Sequence, residues 1–321
     1  MIVSVVVPTR GRPALLQRCL DALIEQEFDP SAYEVLVVVD GPDQTTRQVV
    51  REAALRSRTG IYSVWQRGAK GPAAARNRGW RLASGQIVAF TDDDCIPDPQ
   101  WLRAGVEAFL MEGVVGASGR IRTPLPSAPT DYERTAAGRE ETPFVTANAF
   151  YRREALDACG GFDERFTSPW REDTDLFFST LERGGVFVRV PQAIVMHPIR
   201  PARWGISVPQ QRNNFFDALL FKKHPALYGI IVTRTPPWRY YAITLAGLVG
   251  VWMALQDHPL SAIIAGGLWA WGTLVFCAGR LKGTAHTPSH ITEMLVTSVL
   301  IPPAALMWRL AGALRFRAKF F

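Results

Sequence analysis

Short β-branched apolar runs alternate with amphipathic segments of helical periodicity over the first two hundred residues. The apolar runs predict strands at residues 2–7, 35–39, 61–65, 87–91, 114–121, 149–151 and 186–190. Because parallel neighbours need a long crossover, strands that alternate with helices form a largely parallel sheet covered by helices. The sequence therefore predicts an α/β fold with a Rossmann-like sheet in a first domain at residues 1–205.

The chain of 321 residues is long enough for two domains, and its cysteines give no sign of a disulfide framework. Cys19, Cys95, Cys159 and Cys277 are scattered, without the spacing of a metal site. The first predicted strand starts at the N-terminus with no charged and apolar leader, so no signal peptide is expected. Residues 122–144 are rich in Pro, Thr, Glu and Arg and predict a loop.

The C-terminal part, residues 239–321, contains long apolar runs. Residues 241–255 and 260–278 predict a transmembrane helical hairpin, flanked by Arg234, Arg239, Arg280 and Lys282, which place both ends on the cytoplasmic side. A third run at 294–314 contains Pro302-Pro303 and precedes a basic end, which a full crossing would put outside. We therefore expect it to be re-entrant or interfacial. The alternative for the whole region is the buried helical core of a soluble domain.

The net charge of +7 is concentrated in this region. From residue 226 onward there are eight Lys/Arg and two Asp/Glu, which leaves 28 against 27 in the first 225 residues. Basic residues beside apolar runs favour anionic lipid headgroups, and no basic face with interleaved aromatics indicates nucleic acid. Residues 206–238 predict an amphipathic, interfacial connector, which would bring a lipid-linked acceptor within reach.

Three adjacent carboxylates, Asp92, Asp93 and Asp94, follow the predicted strand at 87–91. Such a cluster repels itself unless a cation neutralises it, and hard oxygen ligands suit Mg²⁺ or Mn²⁺. The carboxyl end of a strand is also where open α/β sheets bind ligands. The simpler alternative is an acidic, solvated loop.

Four segments carry a resemblance to a known family. They are a strand running into Pro8-Thr9-Arg10-Gly11-Arg12, a strand ending in Asp40-Gly41, a helix start at Ala74-Ala75-Arg76-Asn77-Arg78-Gly79, and the Asp92–Asp94 triplet. In this order and spacing they resemble the inverting glycosyltransferases of family 2, which have the GT-A fold. Gly160-Gly161-Phe162-Asp163 and Arg171-Glu172-Asp173-Thr174-Asp175 resemble that family's acceptor-side signature. The resemblance covers residues 2 to about 200.

The resemblance implies roles for the residues on the donor side. Pro8, Thr9 and Arg10 would line the nucleoside pocket, Asp40 would bond the donor base, and Arg76 would approach the nucleotide. Asp92 and Asp94 match the ends of an Asp-x-Asp motif, with Asp93 among the donor-binding residues. Asp94 would ligate Mn²⁺ or Mg²⁺, Asp92 would contact ribose or metal, and His197 would be a further ligand or a packed strand-end histidine.

On the acceptor side, the resemblance implies that Asp173 is the catalytic base, with Glu172 and Asp175 as rivals or support. Without the resemblance, acidic residues here would simply stabilise the first turn of a helix. Residues 210–214 do not match the Gln-x-x-Arg-Trp motif of processive members, so single addition is expected.

The expected function is metal-dependent, inverting transfer of a sugar from a UDP- or GDP-linked donor to a lipid-linked, polyprenyl-linked or glycolipid acceptor. The enzyme would act in cell-envelope glycan or glycolipid synthesis, at the inner membrane with its catalytic domain facing the cytosol. The alternatives are a sugar nucleotidyltransferase and a non-catalytic membrane scaffold. The intact carboxylates at 92, 94 and 173 argue against the scaffold.

Overall fold

The chain folds into two compact units, each with its own core. The computed structural model describes residues 1–66, 68, 70–138, 144–233 and 235–320. The first unit comprises Met1–Pro124 and Ala137–Ile199, and the second comprises Leu125–Ala136 and Arg200–Phe321. The flanking residue Arg234 lies outside the described residues.

One mixed sheet forms the centre of the first unit. Its strands, within the described residues, are β1 (Val3–Thr9), β2 (Tyr33–Asp40), β3 (Gly60–Gln66), β4 (Ile87–Phe90), β5 (Ile96–Pro97), β6 (Val114–Arg122), β7 (Ala149–Arg152) and β8 (Val186–Met196). Their order is β3-β2-β1-β4-β7-β6-β8-β5. The first four in this order are parallel, whereas β7 is antiparallel to both β4 and β6. The α/β prediction is confirmed, with a mixed sheet in place of a largely parallel one.

Helices cover both faces of this sheet, and every residue of the interior strand β2 is therefore buried. These helices are α1 (Pro13–Ile24), α2 (Gln44–Arg56), α3 (Pro72–Leu82), α4 (Trp101–Glu107), α6 (Arg153–Cys159) and α7 (Glu172–Glu182). One core contains Leu16, Leu20 and Trp101, and the other contains Trp80 and Phe162.

The parallel strands determine where the polar residues of the first unit meet. Strand β1 pairs with both β2 and β4 in the same direction, so Thr9, Asp40 and the residues after Phe90 emerge at one edge of the sheet. Strand β8 reaches Met196 because its pairing with β6 shifts between Gly119 and Arg120 and then continues. The predicted strand at 186–190 is therefore too short.

The second unit begins with a short helix inside the predicted loop at 122–144. Helix α5 spans Asp131–Ala137, so the loop prediction is wrong for these residues. A capping box explains the helix: the Thr130 N–H donates to Glu133 Oε2 (2.7 Å), and the Glu133 N–H donates to Thr130 Oγ1 (3.2 Å).

The remaining helices of the second unit are α8 (Asn214–Lys223), α9 (Pro225–Leu227), α10 (Trp238–Leu255), α11 (Pro259–Leu281) and α12 (Pro288–Phe316). Helices α10 and α11 approach closely at Gly250, where a Cβ would lie 3.3 Å from the Gly266 nitrogen. Among the described residues, α11 and α12 are the helices long and apolar enough to cross a membrane. Helix α12 continues through Pro302-Pro303, and the neighbouring Ile301 and Ala305 are buried.

Candidate active site

Strand β4 delivers three carboxylates to the carboxyl edge of the sheet. Asp93 and Asp94 are 1% and 6% exposed, and Asp92 is half-buried. Charges this close in a buried setting need cations or hydrogen-bond donors around them. The described residues supply both, and each carboxylate has a different set of neighbours.

Asp93 faces the loop after β1. Thr9 Oγ1 donates a hydrogen bond of 2.7 Å to Asp93 Oδ2, and Arg12 NH1 lies 3.0 Å from Asp93 Oδ1. Burial raises the pKa of Asp93 to about 6, against the opposing effect of Arg12. Sequence reasoning passed over Arg12, although its place in a basic loop directly after a strand marked it as a possible counter-ion.

Asp94 faces a residue more than a hundred positions away in sequence. His197 Nε2 lies 3.4 Å from Asp94 Oδ1, because β5 pairs with the end of β8, which His197 follows. Ligand atoms of Asp94, Cys95 and His197 all lie within 4.8 Å of one another. Burial and the nearby carboxylates raise the pKa of the Cys95 thiol, and a soft sulfur ligand suits Mg²⁺ or Mn²⁺ less well than oxygen does. The carboxylate and imidazole therefore fit a divalent cation, and the carboxylate favours Mg²⁺ or Mn²⁺.

Arg76 joins two carboxylates that lie far apart in sequence. Its guanidinium is buried, with NH2 2.8 Å from Asp92 Oδ1 and NH1 2.9 Å from Glu172 Oε1. Burial alone would raise the pKa of Asp92, but the charge of Arg76 holds it below its ordinary value. One side chain of α3 thus links the end of β4 to the first turn of α7.

The first turn of α7 contains the predicted base and its two rivals. Glu172 and Asp175 are 3% and 2% exposed, whereas Asp173 is half-buried. Burial, together with the neighbouring Asp173, raises the pKa of Glu172 to about 7. The preceding Arg171 adopts φ = 74°, a left-handed conformation that a non-glycine residue seldom adopts. Asp173 is the carboxylate of the three with the greatest access to solvent.

A cavity of about 470 Å³ lies beside the loop after β1. It is lined by Arg10, Gly11, Pro13, Val39, Asp40, Gly41, Pro42, Asp43 and Thr45. Asp40 Oδ1 accepts from Gln66 Nε2 at 3.0 Å, and Asp40 Oδ2 accepts from the Gly71 N–H at 3.2 Å. Of the described residues predicted to form a nucleoside pocket, Arg10 and Asp40 are therefore at the cavity, whereas Thr9 faces Asp93.

Asn77 holds the turn that precedes α7 and was missed by sequence reasoning. The Phe162 N–H donates to Asn77 Oδ1 (2.9 Å), and Asn77 Nδ2 donates to the Phe162 carbonyl (2.8 Å). Gly161 has φ = 79°, and a Cβ there would lie 2.5 Å from Asn77 Oδ1. The Gly160-Gly161 pair was a visible turn signal, but its partner on α3 was not.

Comparisons with known proteins agree on one family. The model of "Glycosyl transferase family 2" matches residues 4–163. Glycosyltransferase AglE of Haloferax volcanii is 30% identical over 208 residues, covering 62% of this chain and 67% of that protein. Validoxylamine A glucosyltransferase of Streptomyces hygroscopicus subsp. limoneus is 29% identical over 295 residues, covering 78% and 61% respectively. The chain thus spans about two thirds or less of the length of these relatives.

Solved structures show the same fold. The mannosyltransferase PcManGT of Pyrobaculum calidifontis, in complex with GDP-Man and Mn²⁺, superposes with a TM-score of 0.62 at 20% identity, covering 96% of this chain and 86% of that one. TarS of S. aureus, in complex with UDP-GlcNAc, gives a TM-score of 0.53 at 15% identity, with 93% and 90% covered. The prediction of a GT-A-type α/β domain followed by helices is confirmed.

Proposed function

Because the chain belongs to glycosyltransferase family 2, we propose that it transfers a sugar from a nucleotide-diphosphate donor to a lipid-linked acceptor, with a divalent metal and with inversion. The observation that carries the proposal is the position of Arg76 between Asp92 and Glu172. That guanidinium joins the carboxylates on the proposed metal side to the helix turn that contains the proposed base.

Asp94 and His197 would hold Mn²⁺ or Mg²⁺, with Asp92 beside them. When bound, the ion supplies charge neutralisation for the departing nucleoside diphosphate. Arg76 contributes to the same end, since its buried positive charge lies 2.8 Å from Asp92 and fixes the orientation of that carboxylate. The complex of PcManGT with GDP-Man and Mn²⁺ supports this assignment.

Asp173 would accept the proton of the acceptor hydroxyl as that oxygen attacks the sugar from the face opposite the leaving group. Its partial exposure supports this role, because an acceptor must reach it. Glu172 would instead position the turn, since Oε1 is bound to Arg76 and the side chain is buried. Asp175 is buried as well, which leaves it a supporting role.

The donor nucleoside would bind in the 470 Å³ cavity, beside Arg10 and Asp40, with Pro8, Thr9 and Asp93 supporting the wall behind it. A UDP- or GDP-linked sugar is favoured, since structural neighbours bind UDP-GlcNAc and GDP-Man. The enzyme would add a single sugar to each acceptor, because residues 210–214 do not match the Gln-x-x-Arg-Trp motif of processive members.

The acceptor would be lipid-linked because the second unit is suited to a membrane. Many large apolar side chains of α10, α11 and α12 are more than half exposed, among them Leu248, Ile263 and Leu310. Such a surface in water would be an aggregation liability, whereas acyl chains would cover it. We place the protein at the inner membrane with its catalytic domain in the cytosol, in the synthesis of an envelope glycan or glycolipid.

The test is nucleotide release by detergent-purified protein, offered UDP- and GDP-sugars with Mn²⁺ or Mg²⁺ and a total lipid extract. Asp94→Asn and Asp173→Asn should each lower release at least 100-fold, whereas Asp157→Asn, at an exposed carboxylate of α6, should match the wild type. In a parallel assay with UTP or GTP and a sugar 1-phosphate, release of pyrophosphate would indicate a nucleotidyltransferase. Nucleotide binding without release, under every donor and lipid, would indicate a scaffold.

A further inference from the structure

A segment with a polar middle accompanies helix α12 along its whole length. Near the start of α12, Trp204 Nε1 donates to the Ser289 carbonyl (3.3 Å), and the Gly205 N–H donates to Glu293 Oε1 (2.7 Å). Near its end, Lys222 Nζ donates to the Phe316 carbonyl at 2.7 Å. Residues 204–222 therefore run beside α12 from its first turn to its last, over about 40 Å at 1.5 Å per residue.

Contacts between these two ends keep the segment on the helix. The Arg212 guanidinium lies 5.8 Å from the ring of Trp308. Gly312 is so close to α8 that a Cβ would lie 2.3 Å from the Phe215 carbonyl oxygen. The order of the contacts along α12 is the order of the segment in sequence, so the two run side by side in the same direction.

The composition of this segment is incompatible with the interior of a bilayer. It contains Gln210, Gln211, Arg212, Asn213 and Asn214, and Gln210 and Arg212 are exposed. Its backbone forms turns and a short 3-10 helix before α8 begins. Lipid-exposed irregular backbone does not occur in the hydrocarbon core, and an arginine there is strongly unfavourable.

The first turns of α12 are also bound to charged groups. Arg280 NH1 donates to Thr297 Oγ1 and Ser298 Oγ (2.6 and 3.2 Å), while its NH2 donates to Asp131 Oδ2 (2.9 Å). The Asp131 N–H donates to His290 Nε2 at 3.3 Å. Both ends of α12 therefore lie in polar surroundings.

Helix α12 exposes an apolar stripe. Its exposed large hydrophobic residues lie on one side of the helix at about 100° per residue, and they are Leu295, Val296, Val299, Leu300, Met307, Leu310 and Leu314. Its buried residues, among them Ser298, Ile301, Ala305 and Gly312, occupy the opposite face. A helix in the plane of a membrane surface presents one such stripe to the acyl chains.

Cations close to the end of this stripe complement anionic headgroups. Lys222, Arg315, Arg317 and Lys319 are exposed there, brought together by the contact of Lys222 with Phe316 and by the packing of Phe221 on Phe320. Each basic residue near a membrane surface strengthens binding when anionic lipid is present. Two basic segments that are distant in sequence therefore form one patch.

We propose that α12, with residues 204–223 alongside it, lies in the plane of an anionic membrane surface and does not cross the bilayer. The inference rests on the proposed membrane association but specifies which surface meets the lipid and how. Length and apolar composition make α12 a candidate span. A crossing is incompatible with residues 204–222, because this segment is bound to α12 along its length and would have to enter the bilayer with it.

The test compares the accessibility of the two ends of α12 in the full-length, membrane-bound protein. Ser289→Cys and Lys319→Cys, both at exposed positions, are treated with a membrane-impermeant maleimide in spheroplasts and in inverted vesicles, with the wild-type protein as the background of native cysteines. An in-plane helix with cytosolic orientation gives at least tenfold more labelling in inverted vesicles at both positions.

Labelling of the two positions from opposite sides would overturn the in-plane inference and leave the proposed activity intact. Labelling of both from the outer side would support the in-plane inference and refute the cytosolic orientation. Recovery of the protein in the soluble fraction would overturn the inference together with the membrane part of the proposed function. Nucleotide release in the same preparation reports separately on the activity.

Discussion

Replacement of Arg76 by methionine is the sharpest test of how the candidate site is held together. Methionine retains much of the buried volume but removes the cation from between Asp92 and Glu172, at 2.8 and 2.9 Å. Removal of one partner from a buried ion pair costs about 3–5 kcal/mol, because the remaining charge loses its compensation. Since the free energy of unfolding of a domain is about 5–15 kcal/mol, the loss should be easy to measure.

The measurement is urea-induced unfolding of detergent-purified protein with EDTA at about pH 9, above the pKa of about 7 of Glu172, for Arg76→Met, Glu172→Gln and the double variant. We expect the double variant to be more stable, by about 2 kcal/mol, than the sum of the single effects predicts, because Glu172→Gln removes the uncompensated charge. Arg81→Met is the matched control, since Arg81 lies on the same helix and is half exposed. Effects that add to within about 0.5 kcal/mol would refute the bridging role of Arg76.

Three further predictions concern neighbouring features. Asp93 has a pKa of about 6 in the folded protein against 3.8 ordinarily, so the folded state binds an extra proton and the wild type loses stability as the pH rises through this interval. The free energy of unfolding of Asp93→Asn should therefore gain about 1 kcal/mol or more relative to wild type between pH 5 and 8 in EDTA. An unchanged difference in urea midpoints would refute the shift. Arg12 NH1 lies 3.6 Å from Asp94 Oδ2, so its positive charge competes with a bound metal ion for that carboxylate. Arg12→Gln should therefore tighten Mn²⁺ binding in calorimetry by about two- to tenfold, whereas Arg18→Gln, at an exposed position of α1, should not. Weaker binding by Arg12→Gln would contradict this prediction. Gly119→Ala should lower the free energy of unfolding by about 1–3 kcal/mol, because its Cβ would lie 2.1 Å from the Ala193 carbonyl oxygen. Gly138→Ala is the control, because a Cβ there would meet nothing within 4 Å. Equal urea midpoints for the two variants would show that β6 and β8 move apart freely.

The parts of the fold that follow from local pattern were predictable from sequence. Strands β1, β2 and β4 are built around apolar runs, and Asp92 to Asp94 begin two residues after the end of β4, so their place at the sheet edge needed only the topology of parallel strands. Helix α5 was missed although Thr130 and Glu133 have the spacing of a capping box, because the proline-rich composition around them dominated the interpretation.

The contacts between distant residues could not be derived in the same way. His197 was predicted as a possible ligand from the resemblance, but its 3.4 Å approach to Asp94 depends on the shifted pairing of β6 with β8. That shift places Pro191 in a bulge within β8. From the local pattern, Pro191 had indicated that the strand ends at residue 190. The Arg76 bridge likewise depends on how α7 packs, and a basic residue near the start of a helix gives no sign of which carboxylates it will meet.

Helix α3 has a practical consequence for anyone who would redesign donor preference. Between its N-cap Gly71 and Asn77, about 9 Å along the helix, Gly71 binds Asp40 at the cavity beside the loop after β1, Arg76 binds the carboxylates at 92 and 172, and Asn77 clamps the turn at Phe162. A displacement of α3 to accommodate a larger base would therefore also displace the proposed proton acceptor. Libraries should vary Pro42 and Thr45, which line the same cavity and belong to neither α3 nor α7.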